Sequence, residues 1–143
     1  MTAYIVDASI VVQLLITEPH TAETKALFKG IENGDLLYVP EFALIECTNV
    51  LWKYVRFHSL AQADAEKQIE ILSSLDIVLI PVTPLLPRAL KIGVAHKLAI
   101  YDSVYIALAE QLGHPLITDD TKQARAALAE GVTLKPITDF TTT

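Results

Sequence analysis

The chain has 143 residues, 52% hydrophobic and 20% charged, with a net charge of −6 and a mean hydropathy of +0.39. This suffices for one domain with a large core; it excludes disorder and argues against a nucleic-acid binder that works by basic charge alone. No apolar run reaches the ~18 residues of a membrane span, no basic residue precedes the first apolar run as in a secretory signal, and the single Cys47 excludes an internal disulfide.

In chain order, Tyr4 to Val6 reads as a short buried strand ended by Asp7. Ile10 to Ile16 and Thr21 to Ile31 read as helical, parted at Pro19 and closed by Gly30 and Gly34. Leu36 to Val39 is a second strand stopped by Pro40, followed by a strongly periodic helix from Glu41 to Phe57 and another from Ala61 to Leu75 that Ser59 is placed to cap. Ile77 to Ile80 is a third strand. A helix opens at Thr83 or Pro84 and runs to about Lys97, and the next spans Asp102 to Leu112, closed by Gly113. Pro115 to Thr118, Thr121 to Glu130 and Thr133 to Ile137 complete the series as strand, helix and strand, leaving residues 141–143 as a flexible tail after a single domain over 1–140. Short apolar strands alternating with helices predict an α/β three-layer sandwich around a mainly parallel sheet of four to five strands.

In such a sheet ligands gather beyond the carboxyl ends of the strands. Asp7 ends the first strand there, and Asp119 and Asp120 end the fourth. Each of these, taken singly, also suits a helix cap. Glu46 is different: its neighbours one turn away are Phe42, Ala43, Asn49 and Val50, so it either lies in an apolar stripe or turns that edge to solvent. Asp102 opens a helix that is apolar on nearly every face, and it too suits an N-cap. Together, two acids at strand ends and two on covering helices can converge on one pocket, where they repel each other unless a cation intervenes. With four scattered histidines and no Cys/His cluster, oxygen-only donors suit Mg²⁺ or Mn²⁺ and not zinc. An ion of that kind is matched to phosphoryl chemistry.

Four segments, in order and spacing, resemble the acidic motifs of PIN-domain nucleases: Val6-Asp7-Ala8-Ser9, Glu46 to Leu51, Tyr101-Asp102-Ser103 with Ile106 to Glu110, and Leu116 to Asp120. The compact form is most similar to toxins of the VapC type, which pair with a VapB antitoxin. The resemblance implies a PIN-like fold and an Mg²⁺- or Mn²⁺-dependent endoribonuclease, with Asp7, Glu46, Asp102 and Asp120 as catalytic, metal-holding acids and Ser9, Asn49 and Thr118 in support; the missing secretory signal and the lone cysteine make a cytoplasmic protein the default expectation. It also implies a VapB-like antitoxin and a homodimer. The family pattern is threonine, any residue, aspartate, so Asp119 fills the variable place and leaves open which carboxylate reaches the metal. Gln123 stands where the family carries an apolar or aromatic residue. Phosphate contacts fall to Lys53, Arg56, Lys122 or Arg125, most of which also suit a solvated helix face. Trp52, Phe42 and Phe57 read as core or subunit contact in preference to base-stacking platforms, and Cys47 as a buried core residue.

Two other phosphoryl chemistries fit less well. A receiver-type phosphoacceptor wants an acidic pair after the first strand and an Asp after a middle one, but Asp7 is single and the third strand ends in Pro81 and Val82. An aspartyl phosphatase wants a second acid at Ser9. A non-catalytic RNA- or protein-binding module on the same fold remains the alternative.

Overall fold

The computed structural model describes residues 2–140; the tail expected at 141–143 lies outside them. Four strands, β1 (Ala3–Val6), β2 (Leu36–Pro40), β3 (Val78–Ile80) and β4 (Leu116–Ile117), form one sheet in the order β3-β2-β1-β4. Every pairing is parallel: Ile5 registers with Tyr38 and Leu116, and Val39 with Leu79. Helices cover the sheet as α1 (Ala8–Val11), α2 (Thr21–Lys29), α3 (Ala43–Phe57), α4 (Gln62–Ser74), α5 (Leu86–His96), α6 (Ile100–Leu112) and α7 (Thr121–Ala129), giving the three-layer α/β arrangement.

The apolar strands bury both faces, as a covered parallel sheet requires. Ile5, Val6, Leu37, Val39, Leu116 and Ile117 are fully buried, and α6 is sealed on almost every side from Ser103 to Ala109. Edge strand β3 is the exception, with Val78 and Leu79 partly open. Among the described residues no single helix is long and apolar enough to cross a membrane.

The order of the strands fixes where the site lies. The chain steps outward from β1 through β2 to β3, then crosses back to place β4 on the other side of β1. That reversal opens a crevice at the carboxyl ends of β1 and β4. Asp7 follows β1, and Thr118 to Asp120 follow β4.

Several boundaries differ from the sequence reading for identifiable reasons. The expected last strand, Thr133 to Ile137, is reduced to one bridge from Leu134 to Leu116, because the chain turns into a 3₁₀ helix at Ile137–Asp139 straight after it. Helix α3 starts at Ala43 and not at Glu41, because Glu41 still continues the pairing of β2 with β3, its N–H donating to the Ile80 carbonyl at 3.0 Å. Ser59 does not cap α4: it takes a left-handed φ of 62° in the turn after α3, and Ala61 occupies the cap position without a side-chain bond. The first helix is shorter than expected, giving way at Val12 to a 3₁₀ turn through Leu14. Helix α6 begins at Ile100, so Asp102 lies in its first turn and is not its N-cap.

Candidate active site

Asp7 is 5% exposed and caps α1 through a bond from the Ser9 N–H to its Oδ2 at 3.2 Å. The same oxygen accepts from the Thr118 hydroxyl at 3.2 Å, and Oδ1 accepts from Nε2 of Gln123 at 3.4 Å. Burial pushes the Asp7 carboxyl above its ordinary range, while the bonds from Ser9, Gln123 and Thr118 pull it back. Glu46 projects from α3. Its Oε1 accepts from the Tyr105 hydroxyl of α6 at 2.7 Å, so the polar atom of a fully buried aromatic is satisfied by the one acid in the α3 stripe. Burial, opposed by that bond and reinforced by the charges of Asp7 and Asp102, raises Glu46 to about 7. Asp102, free of capping duty, is raised to about 6 by burial and by the charges of Asp7 and Asp120, with nearby Lys122 acting the other way.

The Asp119–Asp120 doublet splits. Asp120 caps α7, accepting the Gln123 N–H at 2.8 Å, and lines the same cleft as the other three acids. Asp119 turns away: its carboxylate accepts from Gln13 at 2.5 Å, in a neighbouring hollow that includes Glu18 and His20. Asp119 therefore does not share the cleft. The cleft itself holds about 320 Å³ and is lined by Asp7, Ser9, Glu46, Asn49, Lys53, Asp102 and Asp120. The four acids that the sequence singled out thus meet there, carried by four different elements.

The supporting residues are placed less uniformly. Thr118 donates to Asp7 and accepts the Asp120 N–H at 3.0 Å, so one hydroxyl links two acids. The hydroxyl of Ser9 accepts the Asp119 N–H at 3.1 Å and braces the loop, while Asn49 lines the cleft wall. Of the expected cations, Lys53 lines the cleft and Lys122 stands near enough to act on Asp102; the Arg56 guanidinium lies instead over the Phe57 ring at 5.1 Å. Trp52 and Phe57 are 56% and 62% exposed, so neither belongs to the core, whereas Phe42 packs edge-on against Tyr101 and Tyr105. Cys47 is fully buried and its thiol is pushed up to about 12, which leaves it inert at neutral pH.

One residue of the site was not read as such from the sequence. Gln123 is wholly buried, and its side-chain amide reaches both Asp7 and the Asp102 carbonyl, the latter at 3.1 Å. The sequence signal is the departure noted above, a glutamine in an apolar or aromatic place, while Asp120-Thr121-Lys122-Gln123 has the form of a capping box and invites a purely local explanation.

An all-oxygen donor set of mutually repelling carboxylates fits a hard divalent cation. Among the described residues no three acidic, histidine or cysteine side chains stand close enough to grip one ion directly. The fit is therefore to an ion that keeps part of its water shell and takes one or two carboxylates, as Mg²⁺ does.

The PIN domain profile matches residues 4–128. The chain belongs to the PIN-domain family. It is 27% identical over 122 residues to "Ribonuclease VapC3" of Pyrobaculum aerophilum, covering 84% of this chain and 91% of that protein. The crystal structure of PAE2754 from the same organism superposes with a TM-score of 0.74 at 25% identity, covering 96% of this chain and 85% of the other. VapBC2 from Rickettsia felis, solved bound to a DNA fragment from its promoter, shares the fold at a TM-score of 0.70 and 13% identity, over 94% of this chain and 98% of that one.

Proposed function

We propose that this PIN-domain chain is an Mg²⁺- or Mn²⁺-dependent endoribonuclease of the VapC type, the toxin of a toxin–antitoxin pair, which hydrolyses RNA phosphodiesters in the acidic cleft. The observation that carries the reading is the convergence of Asp7, Glu46, Asp102 and Asp120 on one cleft at the switch point of the sheet. The similarity to a protein named as a ribonuclease supports the same chemistry.

Asp7, Asp102 and Asp120 would hold the cation, directly or through its waters, with Glu46 closing the cleft. A bound divalent cation supplies an activated water and offsets charge on the leaving oxygen. Thr118, Ser9 and Gln123 fix the rotamer of Asp7 so that its carboxylate is pre-set for the ion. Tyr105 occupies one oxygen of Glu46 and leaves Oε2 to take a proton or a water. Lys53 and Lys122 meet the RNA phosphates on a chain otherwise acidic. Two further parts of the reading concern partners. The exposed Trp52 and Phe57 share α3 with Lys53, and a VapB-like antitoxin helix laid on them would shield the cleft. Leu86, Leu90 and Val94 form an exposed stripe on α5 suited to a homodimer.

One observation favours the alternative of a non-catalytic binding module, namely the lack of three acids at direct ligating spacing. The deciding experiment incubates structured RNAs with and without Mn²⁺ and maps the cut ends. Cleavage only with the ion is expected, and Asp7→Asn or Asp102→Asn should lower its rate ~100-fold or more while leaving the far-UV circular dichroism unchanged. Undiminished cutting by both variants would remove the catalytic assignment.

A further inference from the structure

We infer that Gln123 is a positioning residue of the cation site, kept in a buried place that an apolar side chain would fill at less cost to the fold; the inference rests on the metal-hydrolase reading above. Gln123 is 0% exposed on α7, and its Oε1 is buried with no hydrogen-bond partner. A buried amide with an orphaned oxygen is unfavourable, and the segment gains nothing locally from it.

The placement of its other atoms explains why it is there. In a capping box the side chain three residues after the N-cap turns back to the N-cap N–H. Here that N–H, on Asp120, is already held by the Thr118 hydroxyl at 3.0 Å, which releases the Gln123 amide. The freed Nε2 donates to Asp7 Oδ1 at 3.4 Å and to the Asp102 carbonyl at 3.1 Å, while the Gln123 backbone N–H donates to Asp120 Oδ1 at 2.8 Å. Both side-chain partners are acceptors, so only one amide orientation is permitted, with the oxygen left unpaired. One residue thus touches three acid-bearing segments: the end of β1, the first turn of α6 and the cap of α7. Its amide supplies what an ion-holding carboxylate needs from its surroundings, a donor that fixes its rotamer.

The test replaces the amide by an apolar side chain of the same length, Gln123→Met, and compares it with the unaltered chain for Mn²⁺ affinity by calorimetry at 20 °C and for thermal melting in EDTA. The expected result is Mn²⁺ binding at least ~10-fold weaker, as loss of an outer partner produces, with Tm unchanged or raised because the orphaned oxygen is gone. Affinity within about two-fold of the unaltered chain would overturn the inference, since an order of magnitude is what such partners supply. A weaker affinity accompanied by a Tm drop of more than ~5 °C would overturn it too, because disturbed packing then accounts for both. If the unaltered chain itself binds no Mn²⁺ at millimolar concentration, the metal-hydrolase reading fails, and the positioning role falls with it.

Discussion

Glu46 shows how far burial sets the cleft's chemistry. Its carboxyl rises from 4.5 to about 7, and Asp102 rises with it, because burial and the charges of neighbouring acids favour the protonated forms in the folded chain, while Asp7 rises through burial. The folded state therefore binds more protons than the unfolded one between pH ~4 and ~7, so its stability falls as pH climbs through that window. Glu130, the carboxylate lowered by His96 and Arg88, lies in a surface ion-pair network whose opposing effect solvent screens. In EDTA, melting should be higher at pH 5.5 than at pH 8, as differential scanning calorimetry would show. Glu46→Gln, which can still accept from Tyr105, should flatten that dependence and raise stability at pH 8 by about 1 kcal/mol, or ~3 °C. A steeper slope in the variant would refute the account. The acids themselves were legible in the sequence because charge inside an apolar pattern is conspicuous. What the doublet does was not: Asp119 and Asp120 are adjacent in the chain, yet one turns to Gln13 and the other to the cleft. Gln123 showed only as a departure from an apolar place, since a polar residue on a short helix does not by itself reveal that it is buried against two acid-bearing segments.

The helical elements were legible wherever periodicity was strong, as in α3, α5 and α7, and least where local geometry overrides it. The 3₁₀ turn after α1, the left-handed Ser59 and the single bridge at Leu134 depend on which backbone groups are already committed, and a propensity pattern does not encode that. The junction of α5 and α6 is the sharpest case. The chain turns by 118° between the helical segments, and Gly93 sits where they approach. A Cβ there would stand 2.9 Å from the Leu98 carbonyl oxygen and 2.9 Å from Ile100 Cδ1. The Leu98 N–H is bonded back to the Gly93 carbonyl at 3.0 Å, so that backbone has little room to yield. Alanine in a helix ordinarily gains about 1 kcal/mol over glycine. Overpacking against backbone reverses the sign, and Gly93→Ala should cost ~1–2 kcal/mol net in urea denaturation. A stabilised variant would mean that α5 and α6 are free to slide apart.

At the scale of the whole molecule, the fold class followed from alternating short strands and helices, but the strand order did not, because nothing in a strand's composition names its neighbour. That order decides where Asp7 and Asp120 meet, and it also decides which surfaces remain uncovered. Helix α6 is absorbed into the core, which leaves α5 outside it with Leu86, Leu90 and Val94 at 44%, 58% and 72% exposure. They recur every four residues and so lie on one face of the helix. Tyr101, 62% exposed, adds apolar area from the start of α6. A single exposed leucine needs no explanation, but an aligned set on an acidic, strongly apolar small domain favours self-association. If two α5 faces pack together, Leu90 lies at the middle of the stripe, and a carboxylate there would be buried against its own copy. Leu90→Glu should then convert a dimer into a monomer in sedimentation velocity at micromolar concentration, weakening association ~100-fold or more. The fold should survive unchanged, because residue 90 contributes nothing to the interior. An unaltered chain that sediments as a monomer at the same concentration would refute the α5 interface, and a Leu90→Glu variant that remains dimeric would move the contact to another face.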